Sequence, residues 1–433
     1  MKLYSTNRQS PEVDLRTAVL EGMPPDGGLY MPESIPTLPD TFIQALPNLS
    51  FQQITFEVAK SFFYDEIATS DLREIVEKAI NFDAPLVPVT DRIAALELFH
   101  GPTLAFKDFG ARFMARLMSH FIRDESNELT ILVATSGDTG SAVAHGFLGV
   151  PGIRVFILYP SGKVSRIQEK QFTTLGDNIT ALEVDGNFDD CQRLVKSAFV
   201  DDELNEELNL TSANSINISR LIPQSFYYFY GFGSFQHQGH PVVISVPSGN
   251  YGNLTAGLIA KRMGLPVVKF IAASNVNDVV PEFLDTGDFT PRPSIPTVSN
   301  AMDVGDPSNF ARMLELYENN QDKMLRDVHG DSYTDKETES AISRVYEQSG
   351  YLLDPHGAVG FLALETFLKN APAARGFFLE TAHPAKFLET VQPLIDSEVP
   401  MPERLELALD KPKQSMPLAA EFSALKNLLL TNK

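Results

Sequence analysis

The sequence predicts an α/β protein built on parallel sheets that helices cover on both faces. Three observations carry that prediction. Short, continuous apolar runs recur along the chain; a glycine-rich turn follows most of them; and the turn opens onto a segment with helical spacing. A strand buried on both faces reads as an unbroken apolar run, and a crossover helix returns the chain to the next parallel strand. Ligands of such sheets gather outside the carboxyl ends of the strands, which is where the glycine-rich turns fall.

Residues 1–84 read as a separate small domain. Pro24, Pro25, Gly27, Gly28, Pro32, Pro36 and Pro39 predict an irregular lead-in made of turns. Residues 51–63 and 71–80 then take helical spacing, with Asp71 as N-cap of the second. The Pro-Leu-Val-Pro stretch at 85–88 is the expected connection to a larger region, 85–433, where the strand–turn–helix pattern begins. The apolar run 129–134 leads into Thr-Ser-Gly-Asp-Thr-Gly and a helix from Ser141. The run 154–158 leads into Tyr-Pro-Ser-Gly-Lys and a helix over 164–175, and 179–184 precedes Asp-Gly-Asn and a helix reaching Phe199. The run 242–246 meets Pro-Ser-Gly-Asn-Tyr-Gly and a helix over 254–263; 267–272 follows at once, and 376–379 comes before Thr-Ala-His-Pro. Residues 317–349 are hydrophilic and charged, and are expected to form a solvated helical excursion.

Composition narrows the function. A net charge of −21 over 433 residues argues against a nucleic-acid or anionic-membrane surface, since both need basic patches. It also sets a puzzle: a site for an anion must be locally positive against that field. The single cysteine, Cys191, excludes an internal disulfide and a cysteine-rich zinc framework, and fits a reducing cytoplasm. Residues 1–10 lack the apolar core of a signal peptide, and no apolar stretch approaches the roughly 18 residues of a membrane span. A soluble, cytoplasmic protein is expected.

Four segments carry chemistry. Lys107 sits among Leu104, Ala105, Phe106 and Phe109, just before a helical pattern over 111–122. An apolar setting weakens a lysine's preference for charge and leaves its amine usable as nucleophile or base; the same setting also suits a lysine that lays its stem along an apolar edge. Thr135, Ser136, Gly137, Asp138 and Thr139 form a strand-to-helix turn whose N–H groups and hydroxyls suit a carboxylate or phosphate. Asp138 is unexpected in such a turn, and either caps it or binds an ammonium or hydroxyl group. Gly249, Asn250, Tyr251, Gly252 and Asn253 make a second turn of this kind, without the Gly-Lys-Ser/Thr of a nucleotide P-loop or the three spaced glycines of a dinucleotide fold. Thr381 follows the last apolar run, where it either caps a helix or points its hydroxyl into the strand-end crevice.

Taken together, these segments resemble one family. His-Gly-Pro-Thr-Leu-Ala-Phe-Lys-Asp-Phe-Gly at 100–110 is similar to the cofactor-lysine signature of the threonine synthases, in their bacterial and fungal branch. The resemblance extends through Pro-Asp-Gly-Gly-Leu-Tyr at 25–30, residues 134–140, 212–220 and 246–252, Ser-Asn-Ala-Met-Asp at 299–303, and Thr-Ala-His-Pro-Ala-Lys-Phe at 381–387. It implies the fold of fold-type II pyridoxal-phosphate (PLP) enzymes, akin to tryptophan synthase β: doubly wound sheets in two halves with the site between them, plus the small N-terminal domain. It implies PLP as cofactor, held through a Schiff base by Lys107, with its phosphate cradled by Gly249, Asn250, Tyr251, Gly252 and Asn253 and its ring nitrogen facing Thr381. It implies that residues 135–139 receive a substrate α-carboxylate, and that the reaction turns O-phospho-L-homoserine and water into L-threonine and phosphate, with Lys107 also the base.

A substrate phosphate needs cations. Lys163, Arg166 and Arg220 are the candidates, with Arg112 and Arg116 weaker choices, and Asn214 and Ser215 are expected to reach the substrate as well. Two departures from the family stand out: Tyr251 replaces a more usual Phe, and Glu380 replaces a more usual Gly. Glu380 either sets a carboxylate near the cofactor ring or points into solvent. His100, His356 and His383 are expected to be structural, and no metal is expected. The expected assembly is a monomer or small homo-oligomer acting on a small molecule. The competing readings are a sister fold-type II lyase, such as a dehydratase or phospholyase, and a non-catalytic PLP-binding regulator.

Overall fold

The computed structural model describes residues 1–125, 128–235 and 239–431. Among them thirteen strands form three sheets: β1 (Leu3–Ser5), β2 (Tyr30–Pro32), β3 (Leu86–Pro88), β4 (Ile93–Glu97), β5 (Leu129–Ala134), β6 (Ile153–Pro160), β7 (Ile179–Asp185), β8 (Asn209–Ser212), β9 (Val242–Pro247), β10 (Lys269–Ser274), β11 (Val328–Ser332), β12 (Arg375–Glu380) and β13 (Met416–Ala419). β1 and β2 pair antiparallel. Six strands run in the order β11-β10-β9-β12-β4-β3, parallel except for β3, and five make the wholly parallel sheet β13-β7-β6-β5-β8. Every residue of β5 and β9 is buried, as their unbroken apolar character requires of strands covered on both faces.

Strand order is what assembles the site. β9, β12 and β4 are neighbours, so their carboxyl ends bring together residues 248–253, residues 381–383 and the loop that leads to Lys107. In the other sheet β6, β5 and β8 are neighbours, and their ends gather residues 161–165, 135–137 and 213–217. The two expected α/β halves are present, each contributing one cluster of strand-end loops.

The N-terminal region braces the helix that carries Lys107. Ser50 and Gln53 form a capping box that starts the helix Phe51–Phe63. Its apolar face meets the helix Lys107–Ile122 through Phe51 on Phe109, with ring centres 5.7 Å apart, and Phe63 on Phe113 at 5.8 Å. Such aromatic contacts bury large areas and fix the relative position of the two helices.

Three expectations are corrected. The lead-in is not wholly irregular: β1 and β2 pair in it, and Asp14 caps a helix over Leu15–Glu21. The next helix starts at Thr69, so Asp71 is not its N-cap but lies in its first turn, where Arg123 donates to it at 2.8 Å. The hydrophilic stretch 317–349 contains β11, which pairs parallel with β10 at the sheet edge, between the helices Gln321–Asp327 and Asp335–Ser349. Val-His-Gly-Asp-Ser has no apolar run; as an edge strand it is held by backbone pairing along one side.

Candidate active site

Lys107 is the first residue of its helix, and the loop before it is pinned to the loop after β12. Ala105 and Ala382 form an antiparallel bridge, the Phe106 N–H donates to the Thr381 carbonyl at 2.8 Å, and the His383 N–H to that of Leu104 at 3.1 Å. Thr103 donates through its N–H and its hydroxyl to the carboxylate of Asp108, at 2.9 and 2.7 Å, which closes the turn. Lys107 and Thr381, far apart in sequence, are thereby fixed on adjacent strand-end loops.

The Lys107 amine has no hydrogen bond or ion pair among the described residues; it lies over the Phe106 ring, 5.6 Å from its centre. Lys107 keeps partial access to solvent, yet lies deep enough for loss of hydration to dominate its titration. Burial lowers its pKa first, Asp138 opposes the shift, and Lys386 and Arg220 add to it. The shift favours the neutral amine, the form a nucleophilic lysine uses.

The turn after β9 is a cradle of unused donors. The backbone N–H groups of Gly249, Asn250, Tyr251, Gly252 and Asn253 have no acceptor among the described residues, and they ring the start of the helix Gly252–Arg262. Tyr251 takes a left-handed backbone (φ 58°) and turns its side chain inward, where its hydroxyl meets Ser274 Oγ at 2.6 Å. A Cβ on Gly249 would lie 2.6 Å from the Ala301 carbonyl, so only glycine lets the 299–303 loop close on the cradle. His356 holds that loop by accepting the Ala301 N–H at 3.2 Å, while its other ring nitrogen bonds Asp354. Asn250 ties the cradle to the other half, donating to Ser215 Oγ at 2.7 Å and accepting from the Ser308 N–H at 2.6 Å.

The turn after β5 is built differently. Thr135 spends its hydroxyl within the turn, accepting from the N–H groups of Gly137 and Gly140 at 3.1 and 2.9 Å. Ser136 is exposed, and the N–H groups of Ser136, Asp138 and Thr139 are left without acceptors among the described residues. Asp138 binds an ammonium of its own chain: Lys386 Nζ is 2.6 Å from its carboxylate, and Gln168 donates to it at 2.8 Å. Against the upward push of burial, Lys386 and then Lys107 hold the Asp138 carboxyl well below the usual range.

The candidate cations are distributed unevenly. Arg220 is 3% exposed; it donates to the Ala213 carbonyl, and its Nε has no partner. Burial pushes its pKa down to about 10, opposed by Asp108. Gly110, on the helix of Lys107, admits the Arg220 backbone, whose carbonyl lies 2.8 Å from where a Cβ would stand. Asn214 and Ser215 lie partly buried on the same loop. Lys163 and Arg166 are exposed at the carboxyl end of β6, without an ion pair among the described residues. Arg112 turns away: it donates to the carbonyls of Ala79 and Lys78 and to Asn81, finishing the helix Thr69–Ala79. Arg116 is partly buried on that face, its Nε without a partner.

Glu380 does not point into solvent. It is fully buried, accepts the Asp354 N–H at 2.6 Å through one oxygen, and leaves the other without a partner. Glu97 stands directly opposite it on β4, held by Tyr351 at 3.0 Å and by His100 at 2.7 Å. His383 caps the turn Pro384–Phe387, and burial lowers its pKa to about 4. Two residues escaped the sequence reading. Lys386 lay inside a motif but carried no separate signal, and the buried Arg312 carried none.

A phosphorylated aldehyde fits this arrangement. The residues offer an amine at Lys107 whose charge burial disfavours, five adjacent N–H donors with no acceptor among the described residues, and the Thr381 hydroxyl, which has no partner among them. The first N–H groups of a helix have no intrahelical acceptor, and together with those of the turn before it they suit a phosphate monoester. Comparison with known proteins bears on the same point. Residues 87–376 match the family described as pyridoxal-phosphate dependent enzyme, 2–80 match threonine synthase N terminus, and 357–429 match threonine synthase, C-terminal. Threonine synthase of Escherichia coli strain K12 is 46% identical over 434 residues, covering 100% of both chains. The chain belongs to the threonine synthase family. The crystal structure of the Escherichia coli family member superposes with a TM-score of 0.92 at 45% identity over 100% of both chains. The PLP-bound family member from Brucella melitensis gives 0.93 at 35% identity, over 99% of this chain and 98% of that one. As a member of this family the chain is a PLP-dependent lyase.

Proposed function

We propose that the enzyme converts O-phospho-L-homoserine and water into L-threonine and phosphate, with Lys107 as both cofactor anchor and base. The observation that carries this reading is the Ala105–Ala382 bridge, which pins the loop leading to Lys107 onto the loop of Thr381, at strand ends adjoining that of five unused N–H donors. Lys107 and Thr381 would hold PLP with the cradle 249–253. A hydroxyl at the ring nitrogen leaves that nitrogen largely neutral, unlike a carboxylate partner. Bound PLP supplies an electron sink that acidifies the α- and β-carbons of an attached amino acid.

With PLP bound, Lys107 Nζ would be the base that takes the α-proton of the attached amino acid. It would then take a β-proton as phosphate leaves the γ-carbon with the C–O bonding pair; water adds its hydroxyl at the β-carbon, and protons return to the γ- and α-carbons. One amine can serve these steps because they fall on neighbouring atoms. The N–H groups of Ser136, Asp138 and Thr139 receive the α-carboxylate, which Asp138 does not repel because Lys386 neutralises it. Arg220, Asn214 and Ser215, with Lys163 and Arg166 at the rim, receive the substrate phosphate. Arg220, 3% exposed, would supply the local positive charge that a phosphate needs in a chain of net charge −21.

We read the protein as cytoplasmic, a monomer or small homo-oligomer, and free of nucleic-acid partners; the buried lone Cys191 and the acidic surface support this. None of the described helices is long and apolar enough to cross a membrane. The division into 1–84 and 85–433 is supported by the separate N-terminal match over 2–80. The test is an assay of phosphate and threonine together, with borohydride reduction and mass spectrometry to locate the pyridoxyl group. Equal yields of both products and a label on Lys107 are expected; phosphate with a keto acid and no threonine means a sister lyase.

A further inference from the structure

Arg312 is fully buried, and its guanidinium is met by neutral acceptors. It donates to the Tyr30 carbonyl at 2.9 and 3.2 Å, to the Ile216 carbonyl at 2.6 Å and to Asn309 Oδ1 at 2.8 Å. No carboxylate among the described residues forms an ion pair with it, and burial alone pulls its pKa down, to about 9. A guanidinium still carries its proton at neutral pH. A charge buried without a counter-charge is costly and is normally paired or bound to a ligand.

Its surroundings show which ligand. Asn309, held by Arg312, lies against the cradle: a Cβ on Gly252 would stand 3.4 Å from Asn309 Nδ2. Asn309 also donates to the Ser215 carbonyl at 3.5 Å, and the Ser215 hydroxyl accepts from Asn250 of the cradle. Three segments distant in sequence, β2, the 214–217 loop and the turn before Phe310, therefore meet on one cation behind the unused donors of residues 249–253.

We propose that Arg312 is a positioning residue for phosphomonoester recognition, its buried charge balanced by a phosphomonoester dianion held in front of Asn309 and Gly252. Its fork of donors keeps the cradle and the 214–217 loop in the shape that receives that dianion. This rests on reading residues 249–253 as a phosphate cradle. The same chemistry belongs to the phosphate of PLP and to that of the substrate, and the experiment separates them.

Full-length protein stripped of cofactor is titrated with pyridoxal phosphate and with pyridoxal, as parent, Arg312→Met and Arg312→Lys. If the cofactor phosphate is the partner, Arg312→Met weakens pyridoxal phosphate about tenfold and pyridoxal less than about twofold, the size expected of a charge that acts from behind the cradle and not in contact with the phosphate. Arg312→Lys, which keeps the charge and loses the fork, gives an intermediate loss of about threefold in the same arm, with the same selectivity between the two aldehydes. If the substrate phosphate is the partner, both aldehydes bind normally while KM for O-phospho-L-homoserine rises about tenfold at nearly unchanged kcat. Equal weakening of both aldehydes in either variant, or no effect in either arm, overturns the proposal; should the Met variant fail to fold, the Lys variant decides on the same criteria. A parent protein that binds pyridoxal as well as pyridoxal phosphate removes the cradle reading instead.

Discussion

Lys386 Nζ stands 2.6 Å from Asp138 Oδ1, with both residues buried and each drawn from a different sheet. Asp138 begins the helix at the carboxyl end of β5, and Lys386 follows β12. Lys386 also donates to the Thr103 carbonyl at 2.8 Å, in the loop that leads to Lys107. The pair thus clamps the two halves beside the reactive lysine and cancels a negative charge in a turn suited to an anion.

Breaking that pair from one side strands a buried charge. Asp138→Asn is expected to lower unfolding stability by about 3–5 kcal/mol, and Lys386→Met to act similarly while raising the substrate KM through the uncovered carboxylate. The double variant should lose less than the sum of the two, since neither charge remains. Urea unfolding of all four proteins in a double-mutant cycle measures the coupling; strict additivity would contradict a direct pair.

Glu380 makes stability depend on pH. Burial and the neighbouring Asp354 and Glu97 carboxylates raise its pKa well above the usual glutamate value, so the folded protein keeps a proton there that the unfolded chain has released. Folding is therefore favoured below the ordinary glutamate pKa, and this contribution declines as pH rises from there toward the folded value, by at most about 1.4 kcal/mol per pH unit. Glu380→Gln keeps the shape without the titration and should flatten the stability profile above pH 5. A profile identical to the parent's between pH 5 and 8 would count against a protonated Glu380.

The cradle separates backbone from side-chain roles. Gly249→Ala sets a Cβ 2.6 Å from the Ala301 carbonyl and 2.9 Å from Met302 Cα, neither of which is a flexible side-chain end. Strain of about 1–3 kcal/mol should appear as weaker PLP binding. Tyr251→Phe removes the bond to Ser274 and should lower stability by about 0.5–1.5 kcal/mol, leaving PLP affinity nearly unchanged because N–H groups make the cradle. Fluorescence titration with PLP and thermal melts distinguish the two.

Lys163 and Arg166 sit exposed at the rim, and their part in binding is a matter of charge. Lys163→Ala should raise KM for O-phospho-L-homoserine well beyond its effect on PLP affinity, and more at low than at high ionic strength. Kinetics indistinguishable from the parent at low salt would take Lys163 off the site.

Local chemistry was enough for much of this protein. An unbroken apolar run such as 129–134 is a doubly covered strand whatever its neighbours, and the glycines at 249 and 252 announce a turn by their own backbone freedom. That the chain is α/β, that its ligand turns lie at strand ends, and that Lys107 stands in an apolar motif opening a helix are therefore properties of short segments. β11 escaped because an edge strand is held by backbone pairing rather than by an apolar run, and Asp71 because helix starts need no side-chain cap. Only the tertiary structure decided which strand ends adjoin, and so that Thr381 is bridged to the Lys107 loop. It also decided the state of each charge. Lys386 reaches the Thr103 carbonyl across 283 residues and Arg312 the Tyr30 carbonyl across 282. Desolvation and counter-charges are set by neighbours in space, and no spacing along the chain records them.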